Sequence, residues 1–513
     1  MSLASLLEQL FPPQTPNQEP AHVGQESWNQ QAARLNPQEI NEFLRAVRQH
    51  SELLGNRSAQ IPVQALAEAI ARRPDAATLV DEQLLPDLVA AYESTPADAL
   101  LRGTWLNWLA QSQSPAAWLT WAELTAQSPP LNEQAIPAAV TPLLRNQDLP
   151  PSFYARLLSG ALAHPNLAPV CIDLMNFQTR NQVVATHPAA LQAPMLNELL
   201  GATVYQLKKI ELGDVPADQP ADRTRKAVAD AVALVVSLCD ALACSAYEPA
   251  IDNLREAATL RHRQVQTEAA VALARLGLED GVDMLVKLAA EPFARPRALA
   301  YAEELGILER IPEEFRSDLA LAQSKLALWL ADPRNFGVAP SQVELVDARE
   351  QYWPSYEHPV LCYLLKFSYG SSPGSYQNYG IVGPVVHAFR EDVRWLELDD
   401  IYAAFAGWQA EHEEIYELSA AQASQANQPL ITRCQNLLEE HEFEHPEIEL
   451  LGHFFGELLC VFSAQSEHGK GYAITDGQSL NWFGNHEESP VSPEFAYMVY
   501  RGRRLLRAFN EPH

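Results

Sequence analysis

Over the first 350 residues, apolar positions recur at three- and four-residue intervals in short runs, and proline or asparagine cuts nearly every run off. That punctuation constrains the fold more than any other feature. Proline inside a helix removes a backbone donor and clashes with the carbonyl four residues back, whereas the first helical turn accepts it. "PQEINEFLRAVRQHSELL" opens on such a proline. "PVQALAEAIARR", "DEQLLPDLVAAY", "ADALLRGTWLNWLA", "SPAAWLTWAELTAQ" and "PSFYARLLSGAL" follow, separated by connections such as "QSPPLN" and "NQDLPP". Prolines outnumber glycines by 37 to 22, the balance expected of helices stopped in tight loops. Strand-like alternation is nearly absent here, so the spacing predicts an all-α chain.

Short sequential helices build either a bundle or a solenoid of stacked pairs, and an internal repeat favours the second. "IDNLREAATLRHRQVQTEAAVALARLG" and "VDMLVKLAAEPFARPRALAYAEELG" align on their endings. Leu276-Gly277 falls on Leu305-Gly306, Ala269 on Ala298 and Gln266 on Arg295. Each unit reads as an apolar-faced helix, a short turn and an alanine-rich helix closed by a glycine C-cap. Over about residues 250 to 307 the chain resembles the HEAT-type helical repeats. That family commonly carries aspartate three residues before a valine and arginine just after it. His262, Val265 and Gln266 hold those places in the first unit, and Arg295 restores the arginine in the second. The resemblance implies an α-solenoid of HEAT-like helix pairs and a scaffold role, binding a protein partner along a curved surface.

"ELGDVPADQPADRT", residues 211 to 224, is acidic, proline-rich and without apolar periodicity, the clearest linker. It separates an N-terminal helical array (1–210) from HEAT-like repeats (225–350). Near 350 the composition changes: "SYGSSPGSYQNYGIVGP" interleaves glycine with tyrosine. Helices are then expected to resume with "VVHAFREDV" and "LDDIYAAFAGWQAEHEEIYEL". "GYAIT-DGQ-SLNWF" reads as a small β-hairpin around Asp476-Gly477. Residues 351–513 are therefore expected to form a mainly helical C-terminal domain containing that hairpin.

Composition bounds the function. A net charge of −29 disfavours nucleic acid and anionic membrane surfaces, because phosphate binding rests on lysine and arginine. The acidic runs "LELDD", "EHEEIYE" and "EEHEFEHPEIE" form a solvated face, or suit a basic partner or divalent cations. The longest apolar runs, such as "AVADAVALVV", fall short of the roughly 18 residues that span a bilayer, and no secretory signal is evident. Six scattered cysteines without a C-x-x-C pair suggest neither a disulfide framework nor a thiolate metal site, so a reducing, cytoplasmic setting is expected.

Four patterns carry candidate chemistry. Trp105, Trp108, Trp118 and Trp121 form two i,i+3 pairs on consecutive helices, suited to an aromatic groove or to core packing. In the 369–384 loop, Gly380 and Gly383 free the backbone and Pro384 is expected to start a helix. Its N-terminus, with Tyr376, Tyr379 and His387, could line a ligand or partner site best suited to an anion, or the stretch is a structural inter-domain loop. "HEFEH", His441 to His445, reads as H-E-x-x-H, the spacing of zinc proteases. Pro446 follows at once, however, which ends the helix near His441 and starts another. "PEIELLGHFFGELLCVFSA" then reads as a largely buried helix whose polar exceptions Glu449, His453 and Glu457 share a face. With His441 and His445 these could hold a divalent metal, or they form a solvated stripe.

The expected function is a cytoplasmic protein-interaction scaffold without a cofactor. The alternative is a metal-dependent hydrolase with its site in the C-terminal domain.

Overall fold

Proline occupies the first turn of helix after helix, at Pro37, Pro115, Pro151, Pro169 and Pro194. Asn36 and Glu39 close a reciprocal capping box ahead of Pro37–Gln49. The computed structural model describes residues 7, 10–11, 25–81, 83–214, 220–370, 376–410, 417–419, 427–454, 456–467, 469–485 and 490–510. Among these the chain is mostly helical, with twenty α-helices and nine strands in two antiparallel sheets. It divides into two compact units, Met1–Leu285 and Val286–His513.

In the N-terminal unit helices pack mainly on those two or three places further along the chain. Arg57–Ala71 packs on Leu101–Gln111, Pro115–Gln127 on Pro151–Ala161, and Ala168–Arg180 on Ala221–Cys244. The last of these is apolar and long enough by composition to cross a membrane, with mean hydropathy 2.0 over an 18-residue window within Asp222–Cys244. The ten-residue run "AVADAVALVV" is its middle, and Ser237 and Asp240 interrupt the apolar residues that follow. One face is core, with Val235, Leu238 and Cys239 fully buried, and Asp240 pairs with Arg275 at 2.7 Å.

The repeat-like stretch forms helices Ile251–Ala258, Arg263–Arg275, Glu279–Ala289 and Arg295–Glu304. The caps repeat in detail. Gly277 and Gly306 take left-handed φ values of 83° and 68°, and the following residues donate to Leu273 and Ala302 carbonyls at 3.1 and 2.8 Å. Arg295 is buried, donating to the Ala289, Ala290 and Ala320 carbonyls. Gln266, its counterpart, reaches the Ala258 carbonyl.

The C-terminal unit corrects the expectation of a mainly helical domain. β1 (Gln342–Gln351), β2 (Val360–Tyr369), β3 (Tyr376–Val382) and β4 (Val386–Ala388) form one meander. β5 (Glu417–Ser419), β6 (Glu444–Phe454), β7 (Glu457–Ser466), β8 (Gly469–Thr475) and β9 (Leu480–Gly484) form the other. Helix Asp318–Ala331 covers one face of the first sheet, burying Leu326 and Leu330 against Leu365 and Phe367. The other face meets helices Leu398–Gln409 and Pro493–Asn510 through Leu364 and Ile381. The second helix also covers β6–β8 through Tyr497 and Tyr500, while Gln428–Glu440 takes the opposite face through Ile431, Cys434 and Leu438.

Sheets buried on both faces have apolar residues at odd and even positions alike, and that is why "PEIELLGHFFGELLCVFSA" imitated a buried helix. It is the β6–β7 hairpin. "VVHAF" is likewise β4 and its exit, so Pro384 starts no helix. The expected β8–β9 hairpin is present, with Gly477 at φ 83° and Asp476 Oδ1 accepting from Gln478 and Ser479 amides. β1 runs across the boundary expected at 350/351. The linker expected at 211–224 is shortened by Ala193–Glu211 and Ala221–Cys244, and its residues 215–219 lie outside the described ones.

The two sheets also repeat one another. Each module runs helix, four-stranded meander, helix. Pairing places Leu365 opposite Gly380 and Phe462 opposite Ala473, so Tyr379 and Ile381 correspond to Tyr472 and Ile474. The register slips one residue at Val346 in β1 and at the equivalent Glu449 in β6. Tyr402 and Gly407 recur as Tyr497 and Gly502 in the closing helices. At the crossing of those helices a Cβ on Gly502 would stand 1.7 Å from the Ala403 carbonyl oxygen, and one on Gly407 2.0 Å from that of Met498.

Candidate functional site

The first module carries a connected set of rings. Trp329 ends helix Asp318–Ala331, Phe336 lies in the loop after it, Phe367 and Tyr369 end β2, and Tyr376 begins β3. Period-two alternation brings Phe367 and Tyr369 to one face, and Tyr376 stands directly opposite Tyr369. Phe336 stacks on Tyr369 at 6.3 Å between centroids and meets Tyr376 at 6.3 Å and Phe367 edge-on at 5.7 Å. Phe336, Tyr369 and Tyr376, together with Asn335, Val338 and Arg390, line an open cleft of about 640 Å³, with Phe367 buried behind them.

The cleft's polar groups are largely fixed. The Tyr369 hydroxyl donates to the Val338 carbonyl at 3.0 Å and the Tyr376 hydroxyl to that of Arg390 at 3.2 Å. Burial pushes the Tyr369 phenol up to about 12 and raises Tyr376 as well, so both remain donors. Arg390 donates to the Asn335 carbonyl at 2.8 Å, with its guanidinium 5.9 Å from the Phe336 centroid. Fully buried Asn378 anchors the wall. Its amide donates to the Phe389 and Glu391 carbonyls, and its oxygen accepts from the Tyr379 and Val393 amides. What faces solvent is ring surface, Val338 and one guanidinium. That suits an extended chain with apolar side chains, not acid–base chemistry.

Of the five residues expected around 376–387, only Tyr376 lines this cleft. Tyr379 points to the opposite face and packs with the helix Leu398–Gln409 cluster. Gly380 pairs with Ala388 and lies against Leu326, and Gly383 is forced by the Leu361 carbonyl, 2.3 Å from a Cβ there. His387 is stacked on Trp408 at 3.8 Å and bordered by Trp329, Phe389 and Phe405. Burial lowers its pKa to about 4, so near neutral pH it is an uncharged ring and offers an anion no charge. Residues 371–375 of the expected loop lie outside the described ones.

The metal candidates are not brought together. His441 caps the end of helix Gln428–Glu440, and His445, at φ 52°, begins β6. Pro446 excludes its helical geometry, as expected, but a strand follows instead of a second helix. Glu449 is the bulged residue of β6. It lies four residues from His453 along a strand, about 13 Å at 3.3 Å per residue, not one helical turn away. Glu457 pairs with Arg504 at 3.0 Å. Among the described residues no group of three histidine, cysteine, aspartate or glutamate side chains is placed to share a metal. Of the acidic run "EHEEIYE", residues 411–416 lie outside the described ones.

The tryptophans pack the N-terminal core. Trp105 and Trp121 are fully enclosed, Trp105 bonds Thr95 and Trp108 bonds the Ala67 carbonyl. Trp118 borders a groove of about 720 Å³ with Arg73 and Arg145, but Arg73 is held by Asp75 and the Ala32 and Leu35 carbonyls.

The aromatic cleft was missed because its contributors are spread over 336–390 and meet only through strand pairing. The signal available was Tyr369 and Tyr376 flanking a glycine- and serine-rich stretch, the pattern of a hairpin mouth. Comparison with protein-family models, curated proteins and solved structures finds no match.

Proposed function

We propose that the chain is a protein-interaction scaffold of the HEAT-repeat type, an α-solenoid followed by a paired β-module unit, and that the cleft around Phe336 is where it grips a partner. The observation that carries this reading is the cleft itself. Three aromatic faces stand open while their hydroxyls and the wall behind them are tied to backbone, the preorganised apolar anchor of peptide recognition. The occupant is an extended segment that sets proline or another apolar side chain on the rings and a carboxylate or carbonyl against Arg390.

The scaffold part is supported by the repeated glycine caps at Gly277 and Gly306 and by the donor Arg295, which reaches the Ala320 carbonyl of the next long helix as an inter-repeat ladder would. Helices that pack on those two or three places along the chain are what stacked pairs give. The net charge of −29 favours a partner that is basic overall, and six free thiols, five of them buried, suit a reducing cytoplasm.

A photo-crosslinking residue at exposed Val338 of the intact chain tests the reading in source-cell lysate. The expected result is a discrete protein adduct lost in Phe336→Ala and Tyr376→Ala chains that melt normally. Absence of an adduct, or one indifferent to both substitutions, overturns it.

A further inference from the structure

The duplication makes each module a reference for the other, and the two differ at one edge. In the second module, β5 pairs antiparallel with Leu450, Leu451 and Gly452, so β6 is an inner strand. The equivalent residues of the first module, Asp347, Ala348 and Arg349, lie on β1, and among the described residues β1 ends its sheet. The Val343 carbonyl of β1 accepts from Gln323, but at Asp347–Arg349 the strand edge, with no neighbouring strand among the described residues, presents backbone donors and acceptors.

The adjoining face differs in the same sense. Leu345 stands opposite Leu365 and Ala348 opposite Tyr363, which puts them on the face covered by helix Asp318–Ala331, with Leu361 two residues before Tyr363. The helix leaves this end bare: Leu345 is 43% exposed, Leu361 44%, and Ala348 is exposed as well. Their counterparts Ile448, Leu451 and Leu458 sit under helix Gln428–Glu440, with Leu451 fully buried. The first module therefore has an open edge and an apolar strip where the second has a strand and a helix.

We propose that β1 accepts a short extended segment of a partner protein, antiparallel to Asp347–Arg349. Its central apolar side chain lies on the face of Leu345, Ala348 and Leu361, and polar residues flank it. β5, Glu417-Leu418-Ser419, has that pattern on the sister edge, where Leu418 stands opposite Leu451. The bulge bounds this edge on one side: it precedes Asp347 as it precedes Leu450, and among the described residues β5 pairs with the three residues after it. A long flat partner, including β1 of a second copy, would collide with the bulge's twist, whereas three residues fit beyond it. Main-chain bonds supply the affinity and the apolar strip the selectivity. This contact is separate from the cleft and adds a second point of attachment.

A fluorescein-labelled peptide of the chain's own residues 415–421, IYELSAA, is the probe, titrated with the intact protein and read by anisotropy. The expected result is saturable binding weakened at least about tenfold by Leu361→Lys, the loss of one apolar contact. A peptide N-methylated at the leucine, which cannot donate that main-chain bond, should not bind. Phe336→Ala should bind as wild type does. No saturable binding, or binding indifferent to Leu361→Lys or to N-methylation, overturns the proposal, as does equal weakening by Phe336→Ala, which would put the peptide in the cleft.

Discussion

Gly502→Ala tests the helix crossing on which the two β modules close. The added Cβ would stand 1.7 Å from the Ala403 carbonyl oxygen, against a carbon–oxygen contact of about 3.3 Å, so the helices must part by about 1.6 Å. Neither side can yield by a rotamer change, because the nearest atoms are backbone. Parting them loosens Ala403, Ala406, Ala496 and Val499, all essentially buried in the same cluster. Overpacking of this kind costs about 3 kcal/mol, the upper part of its usual range, since a backbone clash relaxes poorly. Replacing glycine within a helix returns about 1 kcal/mol of propensity, leaving a net loss of about 2 kcal/mol. For a unit of this size each kcal/mol moves the melting midpoint by roughly 2–4 °C, so a fall of roughly 4–8 °C is expected by scanning calorimetry. Gly55→Ala, with nothing within 4 Å, is the control and should change stability by less than about 0.5 kcal/mol. A Gly502→Ala chain melting at or above wild type would refute the close crossing.

Asn378→Ala removes the side-chain partner of two carbonyls and two amides at a fully buried site, and should cost about 3 kcal/mol or more and weaken the Val338 crosslink. Asn378→Asp should not rescue either, because an ionised carboxylate donates nothing, and calorimetry beside crosslink yield reads both effects. His187, held by Asn176 and the Ala189 amide, has its pKa lowered by burial to about 4 from 6.5. The unfolded chain therefore binds the proton first. The N-terminal unit should keep its full stability above pH 6.5 and lose up to about 3 kcal/mol as pH falls from there to 4, a slope reduced in His187→Gln by urea titration. Burial and the nearby Asp240 carboxylate hold the half-buried Cys244 thiol up at about 12, and the other five cysteines are buried. An aromatic disulfide reagent at pH 8 should thus label no thiol quickly in the native protein and all six after denaturation.

Helices before residue 307 were legible because apolar periodicity is joined at many of them by local punctuation. Asn36 with Glu39, first-turn prolines and Gly277 and Gly306 are local signals with local causes. The strands of the C-terminal unit were not, because helices cover both faces of each sheet. In β6 and β7 Leu450 and Val461 serve one face, Leu451 and Cys460 the other, so the period of two disappears into a continuous apolar run. The bulge at Glu449 shifts the phase again. A helix reading of that segment aligned Glu449, His453 and Glu457, and the strand separates them. The hairpin at Asp476-Gly477 escaped this masking because its signal is the turn. The repeat between modules was recoverable from Tyr-x-Ile at 379 and 472 and from the tyrosine-to-glycine spacing at 402 and 497. Each pattern is too short to be noticed without strand register to align it.

Divergence between the modules argues for where function lies. Tyr369 and Tyr376 correspond through register to Ser466 and Gly469, so the sister meander forms the same strand pairs with neither of these rings. The rings are therefore not a requirement of the meander. Its apolar needs are met by shared positions, such as Leu364 with Val461 and Ile381 with Ile474, and those are the ones buried against the closing helices. A half-exposed aromatic cluster that the architecture does not need carries a solvation cost without a folding role, which is the expected position of a binding surface. The decisive comparison is Phe336→Ala with Tyr376→Ala in one chain. If the cleft serves binding, the double variant should keep the melting midpoint of the C-terminal unit within about 4 °C, a loss near 1–2 kcal/mol, while abolishing the Val338 adduct. A collapse of the unit would instead make the cluster structural and return the search for function to the open edge of β1.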